Sequence, residues 1–186
     1  MTIRTALWDV AMHQHGYFTL EDARDLGFDE VAVRMMATRN RLERVARGVY
    51  QFPQMPASEV DPYALAVLWT GVPEAALSHE TALAVRGYGD INPDRIHMTV
   101  GAHRRIRRTP TGPYELHYED LTPHSIGWWQ DVRTVTAATA VRQCIDAGTP
   151  GYLMRQAIDV ARDDGQLTTA EAAELMKQLD MRYANA

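Results

Sequence analysis

The chain has 186 residues, 46% of them hydrophobic, with a formal net charge of −5 and a single cysteine. That length suits one large domain or two small ones, and the apolar content is enough for folded cores rather than extended disorder. The lone Cys144 excludes a disulfide framework and fits a reducing cytoplasm. No apolar run approaches the roughly 20 residues a membrane helix needs. The N-terminal stretch, with Asp9 and His13, lacks the apolar centre of a signal peptide. A soluble cytoplasmic protein is the expectation. Of 19 basic residues only Lys177 is lysine, a bias that suggests GC-rich bacterial coding.

Residues 2–15 read as a helix with Ile3, Leu7, Val10 and Ala11 on one face and Trp8 in the core. Thr19 and Asp22 then form a capping-box pattern ahead of Ala23 and Leu26, and Gly27 marks the stop. Asp29 is placed to cap a second helix running to about Arg39. Its inward residues are Val33, Met36 and Ala37, with Glu30, Val31, Arg34, Met35 and Thr38 outside. Asn40 suits a left-handed exit. Residues 41–45 and 49–52 alternate around Arg47-Gly48, which gives a β-hairpin with a basic tip. The composite is a helix-turn-helix followed by a wing, in residues 1–53.

Pro53 to Ser58 breaks both helix and strand, so a second domain is expected over residues 60–186. Asp61-Pro62 opens an apolar helix to Thr70, with the acid as cap, and Ser78 caps another through Val85. Strands are expected at 95–100, 114–118 and, more weakly, 132–135. Helices follow over 137–147 and 150–162, the latter with Leu153, Ala157, Val160 and Ala161 on its inner stripe. Thr168 with Glu171 caps a last helix carrying Leu175, Met176 and Leu179. The fold class is α+β: a winged helix-turn-helix, then an α+β domain with a small sheet.

Charge concentrates where the wing is. Between Val31 and Phe52, Arg34, Arg39, Arg41, Arg44 and Arg47 face a single acid, Glu43, in a chain that is acidic overall. Neutralising phosphates with such a surface releases counterions and supplies much of the affinity for DNA. Arg34, in the second helix, is the candidate for reading a base. Arg41, Arg44 and Arg47 are candidates for holding the backbone, and Thr19, Thr38 and Arg39 complete the set. The alternative is a small winged domain that packs against a partner protein.

The run from Gly16 to Tyr50, ending Leu42-Glu43-Arg44-Val45-Ala46-Arg47-Gly48-Val49-Tyr50, resembles the N-terminal domain of AbiEi-type antitoxins. These are winged helix-turn-helix regulators paired with nucleotidyltransferase toxins in type IV toxin–antitoxin systems. The family tends to carry glycine where Asn40 stands, and small polar or basic residues where Glu30 and Val31 stand. A thinner resemblance continues through Ala76 to Leu83, Ile96 to Val100 and Val135-Thr136. It implies a repressor of its own promoter that counters a toxin. Such regulators commonly read inverted repeats as a dimer or as two cooperating monomers.

A second basic run, Arg104, Arg105, Arg107 and Arg108, sits in a loop beside His103. It could meet phosphates, an acidic partner or only solvent. Five histidines fall between 79 and 124, and His97 and His117 sit in alternating strands that could share a sheet face. With one cysteine and no close ligand pair, no metal site is expected. Nor is any cofactor expected, since glycine-rich phosphate loops are absent. The single lysine, in Glu174-Leu175-Met176-Lys177, has the wrong spacing for a restriction-type nuclease. None of Ser58, Ser78 or Ser125 sits on a nucleophile elbow. The expectation is a non-enzyme. Of the pair Trp128 and Trp129, one is read as buried in the core with the other covering it, the alternative being an exposed binding patch. An orphan regulator, or an interaction module using Arg104 to Arg108, is the rival function.

Overall fold

A computed structural model describes residues 2–106 and 112–184. Its described residues form eight α-helices and two sheets, divided into two compact units, Met1–Pro73 and Glu74–Ala186. The division falls later than the 53–60 linker read from the sequence, so the helix after that linker belongs with the first unit.

The first unit begins with α1 (Ile3–Met12), whose N-terminus is capped by the Thr2 hydroxyl accepting from the Thr5 N–H. Ala6, Leu7 and Ala11 are its buried residues. Then come β1 (Tyr17–Thr19), α2 (Leu20–Asp25), α3 (Glu30–Thr38), β2 (Glu43–Ala46) and β3 (Val49–Gln51). The capping box at Thr19 is complete: the Asp22 N–H donates to the Thr19 hydroxyl, and the Thr19 N–H donates to the Asp22 carboxylate at 2.7 Å. Gly27 has φ +80°, which leaves the chain free to turn between α2 and α3. Asp29 accepts the Val31 N–H at 2.8 Å to start α3, and Asn40, at φ +55°, ends it in the left-handed region.

The three strands order as β1-β3-β2, all antiparallel. β1 was not read from the sequence. It pairs Phe18 with Tyr50 across more than 30 residues of chain, a non-local partnership that three residues cannot announce. Phe18 lies between Tyr50 and Phe52, at ring separations of 5.8 and 5.6 Å, and Trp8 meets Phe52 edge-on at 5.0 Å. With Leu7, Ala23, Val33, Met36 and Leu42 they make the core of the winged domain. Burying Phe18 and Phe52 completely contributes about 2–3 kcal/mol each from transfer alone. Helix α4 (Asp61–Thr70) follows. Its cap position is Val60 rather than Asp61, whose carboxylate instead accepts the Ser58 N–H at 3.0 Å.

The second unit has a mixed sheet ordered β6-β5-β4-β8-β7. Its strands are β4 (Ala76–Leu77), β5 (Ile96–Val100), β6 (Tyr114–Tyr118), β7 (Ile126–Trp129) and β8 (Val132–Val135). β4 and β7 were not expected. Two-residue β4 is nonetheless central, antiparallel to β5 and parallel to β8. Helices α5 (His79–Ala84), α6 (Ala137–Ala147), α7 (Gly151–Asp163) and α8 (Thr169–Ala184) supply most of the core, with Ala76 and Val135 from the sheet. The Thr168–Glu171 capping box forms as expected. On α7 the inner stripe is Met154, Ala157, Ile158 and Ala161, so Val160 turns outward. On edge strand β7, Trp128 is 65% exposed and Trp129 half-buried, so neither is the buried member expected of the pair.

Candidate nucleic-acid interface

Helix α3 has two faces, set by its 3.6-residue period. Val33 and Met36 are buried, and Val31, Arg34, Met35 and Thr38 stand out as an exposed stripe at i, i+3, i+4 and i+7. Val31 is 55% and Met35 48% exposed. The stripe combines an arginine, able to reach base edges, with apolar groups of the kind that contact thymine methyls in a major groove. The Thr38 hydroxyl donates back to the Arg34 carbonyl at 3.0 Å, which tethers one of its two roles to the helix itself.

Past α3 the Arg41 N–H donates to the Met36 carbonyl, and Leu42 enters the core at 3% exposure. Anchoring by Leu42 leaves Arg39, Arg41, Glu43 and Arg44 outside. In the wing, Glu43 pairs with Gln51 and Arg44 with Tyr50, and a bulge at Val45 precedes Ala46 opposite Val49. Arg47 sits at the tip, beside Gly48 with φ +77°. The Leu20 N–H donates to the Gly48 carbonyl at 3.0 Å, so the tip is tied to the start of α2. Sequence candidates Arg34, Thr38, Arg39, Arg41, Arg44 and Arg47 are thus all exposed on α3 and the chain after it. Thr19 differs: it is half-buried, and its hydroxyl both accepts from Asp22 N–H and donates to the Asp22 carboxylate. Its place is the helix cap.

Sequence reading did not foresee what Glu30 does. One of its carboxylate oxygens accepts from Arg24 of α2 and the other from Arg34 of α3, each at 2.8 Å. The i,i+4 spacing to Arg34 was visible; Arg24, six residues earlier and across a turn, was not.

Of the second basic run, Arg104 and Arg105 are described. Arg104 makes a two-pronged pair with Glu74, through Nε and Nη2, and holds that carboxyl below the usual range. Arg105 is exposed. Arg107 and Arg108 lie outside the described residues.

A different group assembles inside the second unit. His79 from α5, His97 from β5 and His117 from β6 come together with nearly parallel rings. His97 Nδ1 and His117 Nε2 are 2.9 Å apart, one donating to the other, and the His79 ring lies on His117 at 3.5 Å. His79 has φ +51° and its Nδ1 is 3.0 Å from the Ser78 hydroxyl. Its N–H donates to Gln143, whose amide donates to Glu119, which also pairs with Arg142. Burial, reinforced by His117, His97 and Arg142, lowers the His79 pKa to about 3. Burial also lowers His97 and His117, against the opposing pull of Glu115 on both. The nearby Cys144 thiol is pushed up to about 12 by its burial. Among the described residues no group of three or more histidine, cysteine, aspartate or glutamate side chains is arranged to hold a metal ion. No helix among the described residues is long and apolar enough to cross a membrane.

Residues 8–53 match the model of the family described as transcriptional regulator, AbiEi antitoxin. The match covers the winged domain from α1 to β3. No curated protein matches the chain. Among solved structures, the RV2827C protein from Mycobacterium tuberculosis aligns over 96% of this chain and 82% of its own, at 15% identity and a TM-score of 0.43.

Proposed function

We propose that the protein is a DNA-binding transcriptional regulator of the antitoxin type, and that α3 and the wing are its reading surface. The observation that carries this is the exposed stripe of Val31, Arg34, Met35 and Thr38, continued by Arg39, Arg41, Arg44 and Arg47. The family match over the same residues supports it. In this reading α3 enters the major groove of double-stranded DNA and Arg34 contacts a guanine. Arg41, Arg44 and Arg47 take phosphates, positioning the domain without reading sequence. The operator is an inverted repeat upstream of the protein's own gene, bound by a dimer or by two monomers in the cytoplasm. The functional counterpart is a nucleotidyltransferase toxin encoded beside it, countered by the second unit.

Two experiments test this reading. Purified protein titrated against a duplex from its own upstream region and against a scrambled duplex should prefer the former, and a reporter on that promoter should fall when the protein is expressed. Equal affinity for both duplexes refutes self-repression. Co-expression with the neighbouring gene product should restore growth; unrelieved toxicity refutes the antitoxin role while leaving the regulator intact.

A further inference from the structure

Glu30 is an unusual side chain to find on a surface that meets phosphates. It stands in the first turn of α3, four residues before Arg34, and its carboxylate is shared between two guanidinia from two helices. The two arginines are the exposed partners, at 63% and 59% of their side chains, whereas Glu30 is at 31%. Surface pairs of this kind add little to folding. Their effect on binding a polyanion is larger, because each arginine must leave the carboxylate before it can take a phosphate, and the carboxylate itself repels the backbone.

We infer that Glu30 is a specificity-determining residue, which holds Arg34 and Arg24 away from random DNA and releases Arg34 to a G·C pair. The inference rests on the DNA-reading assignment above. At a G·C pair in the major groove guanine offers O6 and N7 to an arginine, while the cytosine amino group offers a donor to a carboxylate. Arg34 and Glu30, adjacent on one helix face, can exchange their mutual pair for those two partners together. Phosphates offer the arginine acceptors but leave Glu30 without a donor. An A·T pair, though its adenine amino group could donate to Glu30, splits its acceptors between adenine N7 and thymine O4 and denies the arginine the two-pronged contact that guanine gives. Discrimination then arises from the penalty against wrong sites as much as from the contact with the right one.

The test compares the intact protein with Glu30→Gln and Arg24→Ala on the upstream duplex and the scrambled duplex, over a range of salt. Glu30→Gln keeps the size of the side chain and removes its charge. It should bind the scrambled duplex about tenfold more tightly, narrow the preference between duplexes, and steepen the slope of log K against log salt. That increase is about 0.9 for each arginine newly on a phosphate. Arg24→Ala leaves Glu30 charged and holding Arg34, so it should not tighten scrambled-duplex binding. If Glu30 were only a strap between α2 and α3, the two variants would weaken binding alike, and that result overturns the inference. Wild-type preference with an unchanged Glu30→Gln overturns it too, and spares the DNA-reading assignment. No binding by any of the three proteins removes both.

Discussion

The two units treat their ionisable groups in opposite ways. The winged unit leaves its arginines at the surface, on α3 and around Arg47, where water and salt screen them and phosphates can reach them. The second unit gathers three imidazoles against each other and keeps them neutral, with His79 lowered to about 3. One arrangement favours a charged ligand at little expense to folding. The other stabilises the fold only while protons stay away. Salt should therefore be the sensitive variable for the first unit and pH for the second.

The largest effect should come from striking the winged core. Phe18→Ala removes a ring with no exposure from between Tyr50 and Phe52, at about 3–5 kcal/mol in urea unfolding. It should abolish DNA binding while the second unit's far-ultraviolet signal persists. Next is acid. A histidine whose folded pKa lies below its unfolded value adds nothing above about pH 6.5, and below it the unfolded chain takes up the proton that the folded chain refuses. For His79 stability thus falls as pH drops from 6.5 toward about 3, by about 1 kcal/mol at pH 5.5, and the lowered His97 and His117 act in the same direction. Urea midpoints at pH 7.5 and 5.5 should show the loss in the second unit's transition. In His117→Phe, which removes one of the three buried titrating rings, the loss should be smaller.

Arg34→Ala should cost about 1–3 kcal/mol of preference for the upstream duplex over the scrambled one. Arg44→Ala with Arg47→Ala should weaken both duplexes alike and shallow the salt slope by about 1.8. Smallest is Arg104→Ala. Both partners are partly exposed, so the urea midpoint should barely move, and DNA affinity should not change.

The winged half was legible because its signals are local. Thr19 with Asp22, Gly27, Asp29, Asn40 and Gly48 each state a cap or a turn within a few residues, and the structure uses each of them. What stayed hidden depends on partners distant in the chain. β1 exists because Phe18 finds Tyr50, and β4 because two residues fit between β5 and β8. The possibility that His97 and His117 share a face was readable from alternation, and they do meet; that His79 would stack on them from a helix was not. Residue type predicts one buried member in the pair Trp128-Trp129, and the edge position of β7 leaves neither buried. The exposed arginines of α3 and the wing stand out by charge density, and Glu30 lies one helical turn before Arg34, whereas the hold of Glu30 on Arg24 needs the turn between α2 and α3.

The most direct measurement is an amide chemical-shift titration of the full-length, isotope-labelled protein with its upstream duplex. Shifts should concentrate in residues 30–41 and 43–48, with His79, His97 and His117 unmoved. Shifts centred on the second unit, or none at all at concentrations where the duplex is retarded, would contradict the assignment of α3 and the wing as the reading surface.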